Sequence, residues 1–458
     1  MMIATVLAAL AASASASASA PATPAGKQAL DILKHAIAFP TVKGRGQVPA
    51  YAAYLKQQLV AGGFDASDVI FTPMGETGYL TARWRGSDAA AKPLVVLGHM
   101  DVVEAKPSDW QRDPFTPVIE DGYIFGRGSL DDKGDTAIVT ATLLKLRHAG
   151  WTPKRDIVLL LTGDEETDMK TTAAAAEQLR DAGLVLNADS GGGLIGEDGT
   201  PIAYGIQAGE KTYADFALTV TDAGGHSSRP DDTNAIAMLS RGLARLADFR
   251  FPPQLSPLTK AYWLGSAPRT PGKIGAAMRA FAADPTDAAA AATLSAEPEY
   301  VGIVRTTCVP TMIQGGHAQN ALPQSVTANV NCRIFPGTSI ETVRTKLTEV
   351  VGDPRITVTY TPSGSIPAPE SPLDPKVVAA VTNAVRARVP GLPVIPDMSA
   401  GATDSMFFRA RGIPAYGVAS IFLKASDDFA HGLNERLPLA TIDPGVAQWE
   451  AVLRSLAG

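Results

Sequence analysis

The sequence predicts an α/β protein: a mostly parallel sheet flanked by helices, with an α+β lid inserted into the chain. Three observations carry this prediction. Short apolar runs that end in polar clusters, at 93–98, 156–162 and 184–188, alternate with segments of helical spacing. Near Ala208 the texture changes to the period-two alternation of half-exposed strands. Helix and strand then resume from Ser363, so the first unit closes with the C-terminal segment and the middle is an insertion.

The elements justify this in order. Helical spacing covers Ala29 to Ala38 and Ala50 to Ala61. PLVVLG, DIVLLLT and LVLNA read as buried strands. Between them, TAIVTATLLKLRHAG and TTAAAAEQLRDAG read as helices, each stopped by a glycine. Strand, helix, strand, helix implies parallel neighbours covered on both faces, with ligands bound beyond the carboxyl ends of the strands. KTYADFALTVTDA, SVTANVNCRIF and RITVTYT alternate as antiparallel strands do, while 250–305, rich in Pro and Ala, reads as added helices and loops within the insertion. PKVVAAVTNAVRARV and IPAYGVAS supply a closing helix and strand. The expected division is 26–207 and 363–458 for the catalytic unit and 208–362 for the lid.

With 45% hydrophobic and 19% charged residues, the 458-residue chain can bury enough apolar surface to fold into a globular core. A formal charge of -6 lacks the cationic excess that nucleic acid or an anionic lipid surface attracts, so neither is an expected partner. Residues 1–20 form a short apolar run followed by an Ala/Ser alternation with Ala-x-Ala sites, which reads as a signal for export to the periplasm or medium. It departs from that pattern in having no Lys or Arg ahead of the run. A low-complexity tail is the alternative. No other stretch approaches the length of a membrane span. Cys308 and Cys332, the only cysteines, are open to two readings: a pair in an oxidising compartment, or two buried thiols.

The chemistry concentrates after the strands. His99 and Asp101 follow the first, Glu165 and Glu166 the second, and Asp189 the third; Asp131 and Asp132 lie in the loop ahead of the first helix between them. Like charges crowded together repel unless a cation holds them, so a metal is the economical explanation. Carboxylate oxygen with imidazole nitrogen suits zinc, or else manganese or cobalt. Of six histidines, His35 and His148 sit in helical stretches and read as packing or surface residues. G-x-S-x-G, G-x-x-x-x-G-K-[ST] and H-E-x-x-H do not occur, which weakens the serine hydrolase, nucleotide hydrolase and zincin readings.

GHMDVV, DWQRDPFTPVIEDGYIFGRGSLDDKG, TGDEE, NADSGG, GGHSSRP, NALP, GATDS and HGLNER, in that order over about 29–450, resemble the dizinc exopeptidase family. That family includes glutamate carboxypeptidase, carboxypeptidase S, bacterial dipeptidases, aminoacylases and succinyl-diaminopimelate desuccinylase. The resemblance implies two zinc ions per chain: His99 and Asp189 on one, Glu166 and His431 on the other, and Asp131 bridging, with Asp132 as the alternative bridge. Each ion then has three protein ligands and an open position, as a catalytic zinc requires. Asp101 would accept the second ring N–H of His99 and fix its tautomer. Glu165 would be the general base, passing a proton from water to the leaving amine. His226 would reach over from the lid to stabilise the oxyanion, the plainer alternative being a turn histidine on a glycine-rich loop. Asn320, Arg333 and the backbone of Gly401 and Thr403 would hold a substrate carboxylate; Arg333 is otherwise an ordinary strand-end charge. His317 matches no position with a role.

The expected activity is a zinc metallopeptidase of carboxypeptidase or dipeptidase type, cutting short peptides next to a free C-terminal carboxylate. An aminoacylase acting on N-acyl amino acids is the alternative. A non-catalytic peptide-binding relative is disfavoured because every expected ligand and the base are present. A homodimer through the lid is a further expectation from the resemblance.

Overall fold

The computed structural model describes residues 20–230 and 232–458; apart from Ala20, the segment read as an export signal lies outside them. Helices α1 (Pro24–Ile37) and α2 (Val48–Ala61) open the chain. Helix α1 starts ahead of the expected Ala29 because Thr23 caps it: its Oγ accepts the Gly26 N–H at 2.9 Å, and Pro24 fills the first turn. A hairpin that apolar periodicity did not reveal follows, β1 (Val69–Met74) and β2 (Thr77–Trp84). Next come β3 (Leu94–His99), β4 (Val118–Glu120), β5 (Tyr123–Phe125), α3 (Lys133–His148), β6 (Ile157–Thr162), α4 (Lys170–Gln178), β7 (Leu184–Asn187), β8 (Gly192–Ile195) and β9 (Pro201–Glu210).

The insertion contributes β10 (Thr212–Thr221), β11 (Gly225–His226), α5 (Ala235–Asp248), α6 (Pro257–Ser266), α7 (Gly272–Ala283), α8 (Ala288–Ser295) and α9 (Pro298–Val304). It ends with β12 (Thr307–Gly315), β13 (Ala321–Leu322), β14 (Ser325–Ile334), α10 (Ile340–Val351) and β15 (Thr357–Thr361). The chain closes through α11 (Pro375–Arg388), β16 (Val394–Ser399), α12 (Ser405–Arg409), β17 (Ala415–Gly417), β18 (Phe422–Lys424), β19 (Arg436–Pro438) and α13 (Ile442–Ala457).

The main sheet runs β1-β2-β6-β3-β7-β17-β9-β8-β18, with β16 also paired to β9. Its centre, β6-β3-β7-β17, is parallel, and the flanks are mixed. Every residue of β3 and β6 is buried, because alternate side chains enter different cores. Leu94 and Val96 pack with α1, α3 and α13, whereas Val95 and Leu97 pack with α4 and the Met406–Phe408 cluster. That double burial is why these strands read as unbroken apolar runs.

Two features of the insertion differ from expectation. Strand β9 carries the main sheet on to Glu210, past the 207–208 division. Helices α6 to α9 do not join the lid's core: Leu258, Trp263, Phe281, Leu294 and Val304 are buried in the main core, with α6 against β16. The lid proper is the antiparallel sheet β12-β14-β10-β15, with α5 and α10 over one face through Met238, Leu239, Val343 and Leu347. Its other face carries Arg333, Asn331, Asn329, Tyr213 and Asp215, all half-buried.

Cys308 and Cys332 face each other across β12 and β14 and form a disulfide, with Cα atoms 4.1 Å apart. It tethers an edge strand that is otherwise exposed along most of its length. Replacing both cysteines by serine is expected to cost up to about 3.5 kcal/mol of lid stability, the loop-entropy value for a ring of this size. The loss should appear first as faster amide hydrogen exchange along β12. Unchanged exchange there would mean that the ladder to β14 alone holds the edge.

Candidate active site

The carboxyl ends of β3, β6 and β7 bring His99, Asp101, Glu165, Glu166 and Asp189 into one basin; the loops before α3 and after β18 add Asp131 and His431. Gly98 makes the first approach possible, since a Cβ there would lie 2.5 Å from Asp132 Oδ2. That oxygen accepts the His99 backbone N–H at 3.1 Å. The peptide between Asp131 and Asp132 is cis.

Asp131 stands between the two imidazoles. Its Oδ1 is 2.9 Å from His99 Nε2 and its Oδ2 is 3.1 Å from His431 Nε2. Asp189 Oδ1 lies 3.6 Å from His99 Nε2, and Glu166 Oε1 lies 2.9 Å from His431 Nε2. Two overlapping triads, His99/Asp132/Asp189 and His99/Asp131/Glu166, have potential ligand atoms within 4.8 Å of one another. Imidazole nitrogen and carboxylate oxygen in two joined clusters fit a two-zinc centre, three protein donors to each ion, with one carboxylate offering an oxygen to both. Asp131 reaches both imidazoles, whereas one Asp132 oxygen accepts the His99 backbone N–H, so the geometry favours Asp131 over Asp132 as that shared carboxylate.

Asp101 acts differently from expectation. The His99 Nδ1–H donates to the Asp101 main-chain carbonyl at 3.0 Å, and the carboxylate Oδ1 is farther, at 3.6 Å. The Asp101 carboxylate instead accepts the backbone N–H groups of Glu165 and Glu166, each at 3.1 Å. It therefore fixes both the His99 tautomer and the turn that aims the paired glutamates.

Sequence reasoning missed the residues that hold these loops. Glu435, fully buried, accepts the N–H groups of Gly128 (2.8 Å), Leu130 (2.8 Å) and Asp131 (3.0 Å) and the Arg127 guanidinium (2.7 Å). Arg127 in turn donates to the carbonyls of His431 (3.3 Å) and Gly432 (3.1 Å), restraining His431, whose φ is +60°. Asp404 accepts from the hydroxyls of Thr162 (2.6 Å) and Thr172 (2.5 Å), tying the GATDS loop to the end of β6. Glu435 was visible in HGLNER and Asp404 in GATDS, but only as letters of a motif without a stated task.

The expected lid and carboxylate residues do not meet the metal cluster. His226, on the small β11–β13 ribbon, is exposed, and its Nδ1 accepts from the Ser228 N–H (3.1 Å) and faces the Ser228 hydroxyl at 2.8 Å. Asn320 joins the same ribbon through its carbonyl, which accepts the Ser227 N–H. The Arg333 guanidinium lies over the Tyr213 ring at 4.7 Å. Thr403 is a correction: its N–H and its hydroxyl both donate to buried Glu210, at 2.7 and 2.8 Å, so it supports the loop and has no donor left for substrate. The Gly401 N–H donates to Ser399 Oγ at 2.9 Å. His317 is exposed. A cavity of about 240 Å³ opens beside Asp131 and Asp189, walled by Ile421 and Leu423.

Burial pushes Asp132, Glu165 and Asp189 above the usual carboxylate range, with the Asp189 charge adding to the effect on the other two. Burial likewise raises Glu166 to about 6 and Asp404 to about 7. Asp131 and Glu166 raise His431 to about 10; His99 is raised by Asp101, Asp131 and Asp189 against the opposing effect of burial. Asp131 alone is lowered, the two imidazoles outweighing its burial.

The family model described as "Peptidase family M20/M25/M40" matches residues 95–455. The chain is 28% identical over 306 residues to "Probable carboxypeptidase S-like 2" of Dictyostelium discoideum, covering 64% of this chain and 57% of that one. It is 29% identical over 383 residues to "N-fatty-acyl-amino acid synthase/hydrolase PM20D1" of Xenopus tropicalis, covering 76% of this chain and 70% of the relative. It thus spans less than two thirds of the Dictyostelium protein. The fold superposes on an M20 family metallo-carboxypeptidase, Sso-CP2, from Sulfolobus solfataricus with a TM-score of 0.71 at 19% identity, covering 93% of this chain and 98% of that one.

Two outcomes are expected of this centre. Groups whose folded pKa is raised stabilise the fold at low pH and lose that contribution as pH rises through the folded value. With metal removed, every raised carboxyl and both histidines act in this direction, and Asp131 is already ionised in both folded and unfolded states above pH 6. The Tm gap between the chelated and the zinc-loaded protein should therefore widen from pH 6 to pH 9; the buried Lys133 and Lys211, whose lowered pKa of about 7 acts in the opposite direction, are common to both forms. A gap that narrows with rising pH would contradict the assigned cluster. Glu435→Ala strands a buried guanidinium and three N–H groups and should cost about 3–5 kcal/mol. Glu435→Gln should keep the fold but weaken zinc about 10–100-fold in chelator competition.

Proposed function

The chain belongs to peptidase family M20/M25/M40, and we propose that it is a zinc-dependent amidohydrolase that splits N-acyl amino acids into a carboxylic acid and a free amino acid. The observation that carries the hydrolase reading is the pair of overlapping clusters, His99/Asp132/Asp189 and His99/Asp131/Glu166, which His431 joins at Asp131 and Glu166, with Glu165 buried beside them. The match to the Xenopus protein, whose name gives N-fatty-acyl-amino acids as what it makes and hydrolyses, extends over more of this chain than the match to the carboxypeptidase S-like one. It supports N-acyl amino acids ahead of the short peptides that the sequence alone put first. The carboxypeptidase S-like match keeps peptides as the second reading.

Zinc bound in the cluster supplies Lewis acidity toward a scissile carbonyl and lowers the pKa of water. Glu165, held by Asp101 through its backbone N–H, takes the proton from the attacking water and returns it to the departing amine nitrogen. His226 and Arg333, carried by the lid, are assigned to the developing oxyanion and the substrate carboxylate, with Asn320 assisting the latter.

The edge strand β12 exposes Val309, Met312 and Ile313, and we assign it to a lid-to-lid homodimer. Export is the proposed location, supported by the character of residues 1–20 and by the Cys308–Cys332 disulfide. Among the described residues, no helix is long and apolar enough to cross a membrane.

The test is hydrolysis by zinc-loaded protein of N-acyl amino acids, their carboxyl amides and free dipeptides, wild type beside Glu165→Gln. Turnover is expected for the N-acyl acids, loss with the carboxyl amides, and a fall of about 10²–10⁴-fold in the variant. Turnover confined to dipeptides would move the assignment to the second reading.

A further inference from the structure

Helices α6 and α9, which pack on the main core rather than the lid, wall one side of a cavity of about 560 Å³, within the size range of small-molecule sites. Tyr262 of α6 and Glu299 of α9 line it, with Leu194 of β8 and, from the end of β16, Asp397 and Ser399. Ser190 and Gly191, which directly follow Asp189 in the chain, line it too. The same two residues line the smaller cavity that holds Asp131 and Asp189, so the larger one adjoins the metal cluster.

Its charge is one-sided. No Lys, Arg or His is among its walls. Asp397 is half-buried there; one carboxylate oxygen accepts the Met398 N–H at 2.7 Å, and among the described residues the other has no hydrogen-bond partner and no cation pairs with either. Burial holds this carboxyl above the usual range, as it does a charge that nothing nearby neutralises. Glu299, exposed, adds a second negative charge at the rim. Desolvating a carboxylate is costly unless a cation meets it, so the occupant that fits brings the cation. Leu194, whose side chain is 43% exposed, offers apolar surface to the methylene stem that would carry it.

Direction follows from the hinge of the lid. Lys211 joins β9 to β10; its N–H donates to the Ser399 carbonyl at 3.0 Å, and its Nζ donates to Thr307 Oγ1 at 3.3 Å. Arg333 stands opposite Thr307 on one side and Tyr213 on the other. The residue assigned to the substrate carboxylate therefore stands at the hinge that rests on Ser399, a wall of the cavity. In an N-acyl amino acid the amide nitrogen, the carboxylate and the side chain share one carbon. With the nitrogen at the cluster and the carboxylate toward Arg333, the side chain enters between Ser190 and Ser399. We propose that this cavity is the side-chain pocket for the amino acid released from the amide, and that Asp397 makes it select an aliphatic stem ending in a cation, as in lysine or arginine. This inference rests on the placement of the substrate carboxylate given above, and a peptide's C-terminal residue would occupy the same place.

The experiment compares Nα-octanoyl lysine with Nα-octanoyl norleucine, which has the same four-carbon stem without the ammonium, beside Gly-Lys and Gly-norleucine. Zinc-loaded wild type, Asp397→Asn and Glu299→Gln are assayed. In wild type, kcat/KM for the lysine substrate should exceed that for norleucine by about tenfold or more, the worth of one charge-assisted hydrogen bond. Asp397→Asn retains an oxygen for the Met398 N–H and should lower the lysine rate about fivefold more than the norleucine rate. Glu299→Gln, at an exposed position where misfolding is not at issue, should lower the ratio about twofold. A wild-type ratio at or below one, or a ratio that both variants leave unaltered, would overturn the pocket while turnover of the octanoyl substrates keeps the N-acyl reading. Turnover confined to the dipeptides would overturn the N-acyl reading, and the Gly-Lys to Gly-norleucine ratio then decides the pocket by the same criterion.

Discussion

The structure is organised around an electrostatic problem: Asp101, Asp131, Asp132, Glu165, Glu166 and Asp189 converge on two imidazoles where three buried strands end. Unscreened carboxylates at such separations repel strongly in a low-dielectric basin, and burial alone lifts the proton affinity of most of them. Two divalent cations reverse the sign of that interaction. The basin is then a strained arrangement without metal and a stabilising one with it, which couples folding energy to occupancy.

Holding the ligands in place falls to buried groups that never touch the ions. Asp101 gathers the N–H groups of Glu165 and Glu166; Glu435 gathers those of Gly128, Leu130 and Asp131; Arg127 binds the carbonyls beside His431. Each anchor is a charge satisfied by several main-chain dipoles, so its desolvation is compensated and its geometry over-determined. Through the Arg127–Glu435 pair, the loop bearing Asp131 and the loop bearing His431 move as one body.

The parts legible in the sequence were those whose signal is local. His99, Glu166 and Asp189 follow apolar runs whose length and termination mark strands, so their convergence could be read from topology. His431 follows only the three-residue β18 and was visible through its motif. The Arg127–Glu435 pair spans 308 residues and exists only because the fold closes, so no periodicity announces it. Helices α6 to α9 show why an insertion in sequence need not be a unit in space: their spacing gives each an apolar face, but β16, contributed about a hundred residues later, decides where that face is buried. Thr403 was misread for a related reason, since its partner Glu210 lies at the end of a strand that the apparent domain division cut through.

A peptide and an N-acyl amino acid present the same amide and the same carboxylate to this centre, and the metal cluster is indifferent to which arrives. They differ on the acyl side, where a peptide can carry an ammonium group and a fatty acyl chain carries none. Burying an ammonium is costly unless an uncommitted carboxylate meets it. Next to the turn bearing Glu165, the cavity that reaches Asp101 is lined by Asp164, Asp168 and Glu76 as well, against Lys43 and Lys170, so its acidic side chains outnumber its basic ones. The choice between the two substrates therefore lies in the walls that meet the acyl side, and the reaction itself in ligands that any amide in the family would use.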